Sequence, residues 1–309
     1  FLKADAPEMQ AWLQLFNQWL PDFFVDIHTT DGADYQYVIT YAMETFGNME
    51  PTLTQWQKES FLNRITPLME EAGYPVFPYV SFREWHNPES GMVALTADPK
   101  LSQGYTAIQN RPGLLLETHM LKDYRTRVSG TYEMLKHAMV ILNQEKENLQ
   151  TLIRKADEHT CSRTFSSHLY ALDYKPTRDS TMVDFRGIEY TKKHSKLTGT
   201  TWFQYGNKPV TFEIPYFNEL TPSVKANLPA YYIIPPEWSV VIERIKLHGI
   251  HTYRVKDPLN LKATVTMFTN VNWRTTPYEG RHMVTEFDTH NHIEKVHLPE
   301  GSCVIPVHQ

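Results

Sequence analysis

Apolar residues at Trp12, Leu13, Phe16 and Leu20 recur at helical spacing. Asp5, Pro7 and Glu8 ahead of them supply a cap residue, a first-turn proline and a capping-box carboxylate. A first helix is predicted, ended by Pro21. The run FFVDIH, residues 23–28, is short, apolar and β-prone, which suits a strand buried in an α/β sheet, and TTDGADY after it reads as a loop. Trp56, Phe61, Ile65, Leu68 and Met69 then predict an amphipathic helix between Thr54 and Gly73, with Gly73 as its C-cap before a strand at VFPYV, 76–80. A polar Gly/Pro-containing stretch from Asn87 to Gln103 leads to a second apolar run, GLLLETH at 113–119, again a buried strand. From Gly130 to about Thr160, Tyr132, Leu135, Met139, Leu142, Leu149, Leu152 and Ile153 keep a helical rhythm, read as one long helix or two consecutive ones.

Beyond residue 160 the texture changes. Short aromatic and β-branched segments broken by Pro, Gly and Asn follow, among them TWFQY at 201–205, VTFEI at 210–214 and ATVTMFTNV at 263–271. Within this stretch PAYYIIPPEWSVVIERIKLHGI, 229–250, predicts a strand, a double proline and a short helix ending at Gly249. The expected organisation is an α/β domain with a mixed sheet over residues 1–160 and a β-rich region over 161–309.

Composition narrows the function classes. A net charge of -5, with no run of Lys or Arg, leaves no electrostatic footprint for nucleic acid. No stretch reaches the roughly 18 apolar residues that a membrane span needs. The two cysteines, Cys161 and Cys303, form no CxxC pair and read as free thiols or one bridge. GxSxG, Walker and dinucleotide-glycine patterns are absent.

Candidate chemistry gathers where the two apolar runs turn polar, because open α/β sheets collect ligands outside the carboxyl ends of their strands. His28, with Asp26 two residues earlier, fits a metal ligand oriented by a carboxylate. Glu117, at the end of the second run, fits a general base acting on water. His119 shares Glu117's face by strand alternation and serves either to support the site or to pack. His86, in REWHNPES, falls on a loop between the two site strands, where it would line the cleft. HNH at 290–292, with His282 and His297 nearby, reads as a metal patch or, with more weight, as exposed strand residues. His137 reads as a packing or surface residue of its helix.

PDFFVDIHTTDGADYQY resembles the segment of M14 zinc carboxypeptidases that carries the third zinc ligand, and GLLLETHMLKDYRTRV resembles their strand with the catalytic glutamate. The opening FLKADAPEMQAW resembles the family's short linker between its Asn-Arg pair and the helix before the third-ligand strand. PAYYIIPPEW…LHGI and GSCVIPVHQ resemble the C-terminal extension of a bacterial branch. The resemblance implies a zinc-dependent peptidase acting on peptides with a free C-terminus, with His28 as a zinc ligand and Glu117 as the base. It implies a substrate-contacting role for Tyr105, whose alternative is a packing tyrosine. Arg127 and Arg125 would grip a substrate carboxylate bidentately or lie solvated at the approach to a helix. A sibling N-acyl amino acid deacylase of the aspartoacylase kind and a non-catalytic binding module on the same scaffold are the other readings.

The departures are equally specific. Neither an HxxE motif nor the family's Asn-Arg pair precedes His28, so the sequence has one of the three protein ligands that a catalytic zinc takes. The start at Phe1 suggests an omitted upstream segment. Related bacterial proteins are often exported, which leans location toward periplasm or secretion.

Overall fold

The computed structural model describes residues 1–308. The chain is a mixed α/β protein whose contacts divide it into two units, Phe1–Pro229 with His308, and Ala230–Val307. The division falls well beyond residue 161, where the strand-rich texture begins.

The first unit opens with α1 (Pro7–Trp19), which buries Leu13 and Phe16 and closes with Leu20 in the left-handed conformation. Its cap residue is Ala6, with no side-chain cap bond, so the predicted start at Asp5 lies one residue too early. The two polar-ending runs form β1 (Phe24–Thr30) and, later, β6 (Gly113–His119). Between them come β2 (Ile39–Ala42), then α2 (Pro51–Trp56), a π-helical turn (Gln57–Leu62) and α3 (Asn63–Glu71) in one continuous rod. Glu50 caps α2 by accepting from the Thr52 and Leu53 amides. Gly73, at φ +81°, lets the Tyr74 amide donate back to the Met69 carbonyl, as the sequence led us to expect of that glycine. Next come β3 (Val76–Pro78), β4 (Phe82–Glu84), β5 (Asn87–Val93) and α4 (Ser102–Ala107).

The site sheet has the order β1-β6-β2-β3. β1 runs parallel to β6, β2 antiparallel to β6, and β3 parallel to β2, so the sheet is mixed. One face is built from Leu114, Leu116 and Ile39, packed with Phe61, Ile65 and Met69 of the helical rod and Met134, Ala138 and Ile141 of α5 (Tyr124–Thr160). That helix is single, 37 residues long, and starts at Tyr124 after the Asp123 cap, six residues before the predicted Gly130. Gly130 is needed for close approach, since a Cβ there would sit 3.0 Å from Val38. At the entry to β6, Arg111 forks onto Asp157 of α5 with both contacts at 3.1 Å, which clamps the strand to the helix.

After α6 (Arg163–Ser166) come β7 (Leu169–Pro176), β8 (Thr181–His194), β9 (Thr201–Phe217) and β10 (Leu220–Asn227). β7 pairs with β10, and a second sheet has the order β4-β5-β9-β8. Its core joins Met92, Phe185 and Ile214 to Tyr35 and Tyr37 from the segment after β1. The long-range pairing of β5 with β9 helps to tie β8 and β9 to the rest of the first unit.

The second unit contains β11 (Tyr231–Ile234), a 3-10 turn (Pro236–Trp238), α7 (Ser239–Leu247), β12 (Tyr253–Arg254), β13 (Leu259–Trp273), β14 (Val284–Leu298) and β15 (Cys303–Pro306). Gly249 comes after the helix at φ +74°, as expected. β11-β15-β12 form a small sheet over Ile242, Cys303 and Ile305, and β13 with β14 makes a long two-stranded ribbon. Cys161 and Cys303 are both free thiols. No helix among the described residues is long and apolar enough to cross a membrane.

Candidate functional site

His28 and Glu117 are direct register partners across the parallel β1–β6 pair. Register partners in adjacent strands have Cα atoms about 4.8 Å apart and project from the same face. On the other side of β6, Glu117 is the register partner of Thr40. This row therefore reads His28, Glu117, Thr40 across three strands, on the face opposite the Leu114 and Leu116 core. α1 and α4 cover the amino half of that face, through Trp12 against Phe24 and Thr106 against Gly113. The carboxyl half is left to the site.

His28 is half exposed, with Asp26 Oδ2 3.0 Å from its Nε2. Asp26 lies two residues back on the same face, so strand alternation alone produces the pair, and Nδ1 is left as the nitrogen free to meet a ligand. Glu117 is only 8% exposed. Its carboxyl pKa is raised, first by burial and then by the negative charges of Asp26 and Asp31, with His28 opposing. A buried carboxyl held above its ordinary range beside an imidazole is suited to taking a proton from water and returning it to a leaving group.

Beyond the strand ends lies a cavity of about 190 Å³. Asp31, Tyr35, Thr40, Tyr79, Trp85 and His86 are among the residues that line it. His119 builds part of its wall indirectly. It is fully buried, accepts at Nδ1 from the Leu121 amide (3.1 Å) and contacts the Ala33 carbonyl at 2.6 Å through Nε2. The Nε2–H tautomer satisfies both bonds, and burial lowers the pKa so that the ring stays neutral. Lys122 adds an ion pair to Asp34 at 3.0 Å and a bond to the Tyr35 carbonyl. The loop after β1 is thus pinned to the end of β6, with His119 buried against Tyr35.

His86 lines the cavity, as the sequence suggested. It occupies the hairpin between β4 and β5 at φ 59°, stacks on Phe203 at 4.6 Å and bonds the Tyr205 hydroxyl at 2.6 Å. Burial pushes the Tyr205 phenol up to about 12 and lowers the pKa of the His86 imidazole, so both partners of this bond are neutral at neutral pH.

Tyr105 lies elsewhere. It is 1% exposed, in an aromatic cluster with Phe1, Trp12 and Phe16 at the amino ends of the strands. Phe24, which contacts the same Trp12, precedes His28 by four residues, or about 13 Å of strand. Arg127 reaches Thr29 Oγ1 at 3.5 Å. Thr29 alternates to the face opposite His28, so the guanidinium lies across the sheet from Glu117. Arg125 is exposed at the start of α5.

Comparison with known proteins finds no match. No family model, no curated protein and no solved structure is significantly similar to the chain.

Among the described residues no group of three or more His, Cys, Asp or Glu converges to hold an ion, whereas catalytic zinc takes three protein ligands. His28 with Asp26 on its ring is one donor. The residues present do not complete a zinc site. His290 and His292 are exposed on β14, with His292 3.4 Å from Glu294. His297 bonds Asn260, and His282 bonds the Arg274 carbonyl, which favours the strand-surface reading. His137 is 3.6 Å from Glu133 on its own helix.

The residues that sequence reasoning missed are Asp31, Thr40, Tyr79 and Trp85. The alternation in YQYVITYA, residues 35–42, was the available signal for β2 and hence for Thr40.

Proposed function

We propose that this chain carries the water-activating side of a hydrolytic site, in a zinc-dependent metallocarboxypeptidase of the M14 type that cleaves C-terminal peptide bonds. The reading rests on one observation: Glu117, buried and raised in pKa, stands beside His28 on adjacent parallel strands, at the carboxyl ends where a cavity opens. Glu117 takes a proton from the attacking water and later gives it to the departing amine, and Asp26 orients the His28 ring. Zinc is the proposed cofactor, with His28 as a ligand, and would need two further protein donors that do not converge on it among the described residues. The deacylase of N-acyl amino acids uses the same pair on a smaller substrate. It is separated by offering an N-acyl amino acid beside a peptide.

Elemental analysis of the full-length gene product is expected to give about one zinc per chain, and the His28→Ala protein a value near zero with the unfolding midpoint of the metal-stripped wild type. Zinc near zero in the wild type, after metal is offered back at neutral pH, would remove the metallopeptidase reading and favour the binding-module one.

The pH profile is set by the charges around Glu117. A base must be ionised, so the acidic limb of kcat/KM sits above the ordinary carboxyl value of 4.5. Asp31→Asn removes one of the charges that raise Glu117, and the limb is expected to move to lower pH. A limb that moves upward or stays in place would show that Glu117 is not the titrating base.

A further inference from the structure

We propose that the cavity beside Glu117 receives a compact cationic group of the substrate, an ammonium such as the lysine side chain carries, with Asp31 as its counter-charge. As a statement about substrate this rests on the hydrolytic reading of Glu117. The cavity itself does not.

Among the described residues, those lining the cavity include one carboxylate, Asp31, and no lysine or arginine. A carboxylate of the substrate would meet only repulsion there, from Asp31 at the wall and from Asp26 and Glu117 at the strand ends. The remaining wall is largely aromatic, from Tyr35, Tyr79, Phe82 and Trp85. Rings present a negative face to a cation, and an enclosed cation gains from several at once. The imidazole of His86 does not compete, because burial lowers its pKa and keeps it neutral. Lys122 does not compete either, since it is committed to Asp34 and the Tyr35 carbonyl.

A second observation is independent of charge. Thr40 is 1% exposed and lines the cavity, where its hydroxyl meets the Tyr35 phenol. A hydroxyl oxygen has two acceptor lone pairs, and an N–H donor entering the cavity would use one of them. An ammonium has three such donors, enough for Asp31, Thr40 and one water.

The test reads binding, so it does not depend on turnover. Two pairs of tetrapeptides are used, differing only in lysine against norleucine, at the last position in one pair and at the next-to-last in the other. In at least one pair, wild-type protein is expected to bind the lysine peptide about tenfold more tightly, the size of one enclosed charged contact. Asp31→Asn should bring that preference below about threefold, and Glu117→Gln should leave it in place. Asp31 is exposed in a loop, so the variant is expected to fold. Norleucine binding equally or more tightly in both pairs, the preference surviving Asp31→Asn, or Glu117→Gln abolishing it would each overturn the proposal. An Asp31-dependent preference without hydrolysis would leave this inference standing and remove the hydrolase. Cleavage of both peptides of a pair without any preference would do the reverse.

Discussion

Glu117→Gln is expected to lower the rate of peptide hydrolysis by about 10²–10⁴-fold, the range that a positioned general base supplies, with KM changed little. The amide keeps the shape of the side chain and removes its basicity. It also relieves a cost in the folded state. Because the folded pKa of Glu117 is raised by burial, the folded protein holds the proton more firmly than the unfolded chain. Stability from that group is therefore fully present below the unfolded value of 4.5 and is lost as pH rises through the folded pKa. At neutral pH the variant should unfold at a temperature equal to or above that of the wild type. Loss of activity together with loss of stability would mean that Glu117 is structural. Unchanged activity would mean that the base lies elsewhere.

Leu116→Ala is expected to destabilise the protein by about 2–5 kcal/mol, as buried leucine truncations do. Leu116 is fully buried, on the face of β6 that packs with Phe61, Ile65 and Met134. Neighbouring side chains belong to a π-helical turn and a 37-residue helix, which cannot collapse into the gap without moving the strand that carries Glu117. Denaturant unfolding should show a lower midpoint with an unchanged slope. The preceding residue, Leu115, is only half-buried, and Leu115→Ala is expected to cost distinctly less. Equal effects at the two positions would contradict the assignment of the faces.

The sequence was legible where local rules and tertiary demands agree. β1 and β6 announced themselves as apolar runs that turn polar at their ends, and that turn is where His28 and Glu117 stand. Their pairing, residue 28 against residue 117, is a long-range fact that no window of sequence contains. Local signals failed where pairing overrides composition. β5 runs through Asn, Pro, Ser and Gly, and becomes a strand because it pairs with β4 and β9. Gly91, at φ +85°, allows its close approach to the Pro215 carbonyl, which a Cβ there would meet at 2.7 Å. β2 is only four residues long, and the signal for it is an alternation that begins before the strand, at residue 35.

The site was legible in its acid–base pair and hidden in its cavity. Asp31, Tyr79 and Trp85 belong to loops and strand ends that sequence distance separates by some fifty residues. They meet because His119 and Lys122 hold one loop while the β4–β5 hairpin brings the other. The resemblance implies substrate-binding roles for Tyr105 and Arg127, with a packing tyrosine and a solvated arginine as the alternatives. Packing puts the first in an aromatic cluster about 13 Å of strand from the pair and the second on the opposite face of the sheet.

The most direct test offers the protein, with zinc present, a peptide bearing a free C-terminal carboxylate and the same peptide amidated, and monitors release of the last amino acid. The account predicts release from the free peptide alone, abolished by Glu117→Gln. No release from either peptide, or release that survives the substitution, would contradict it.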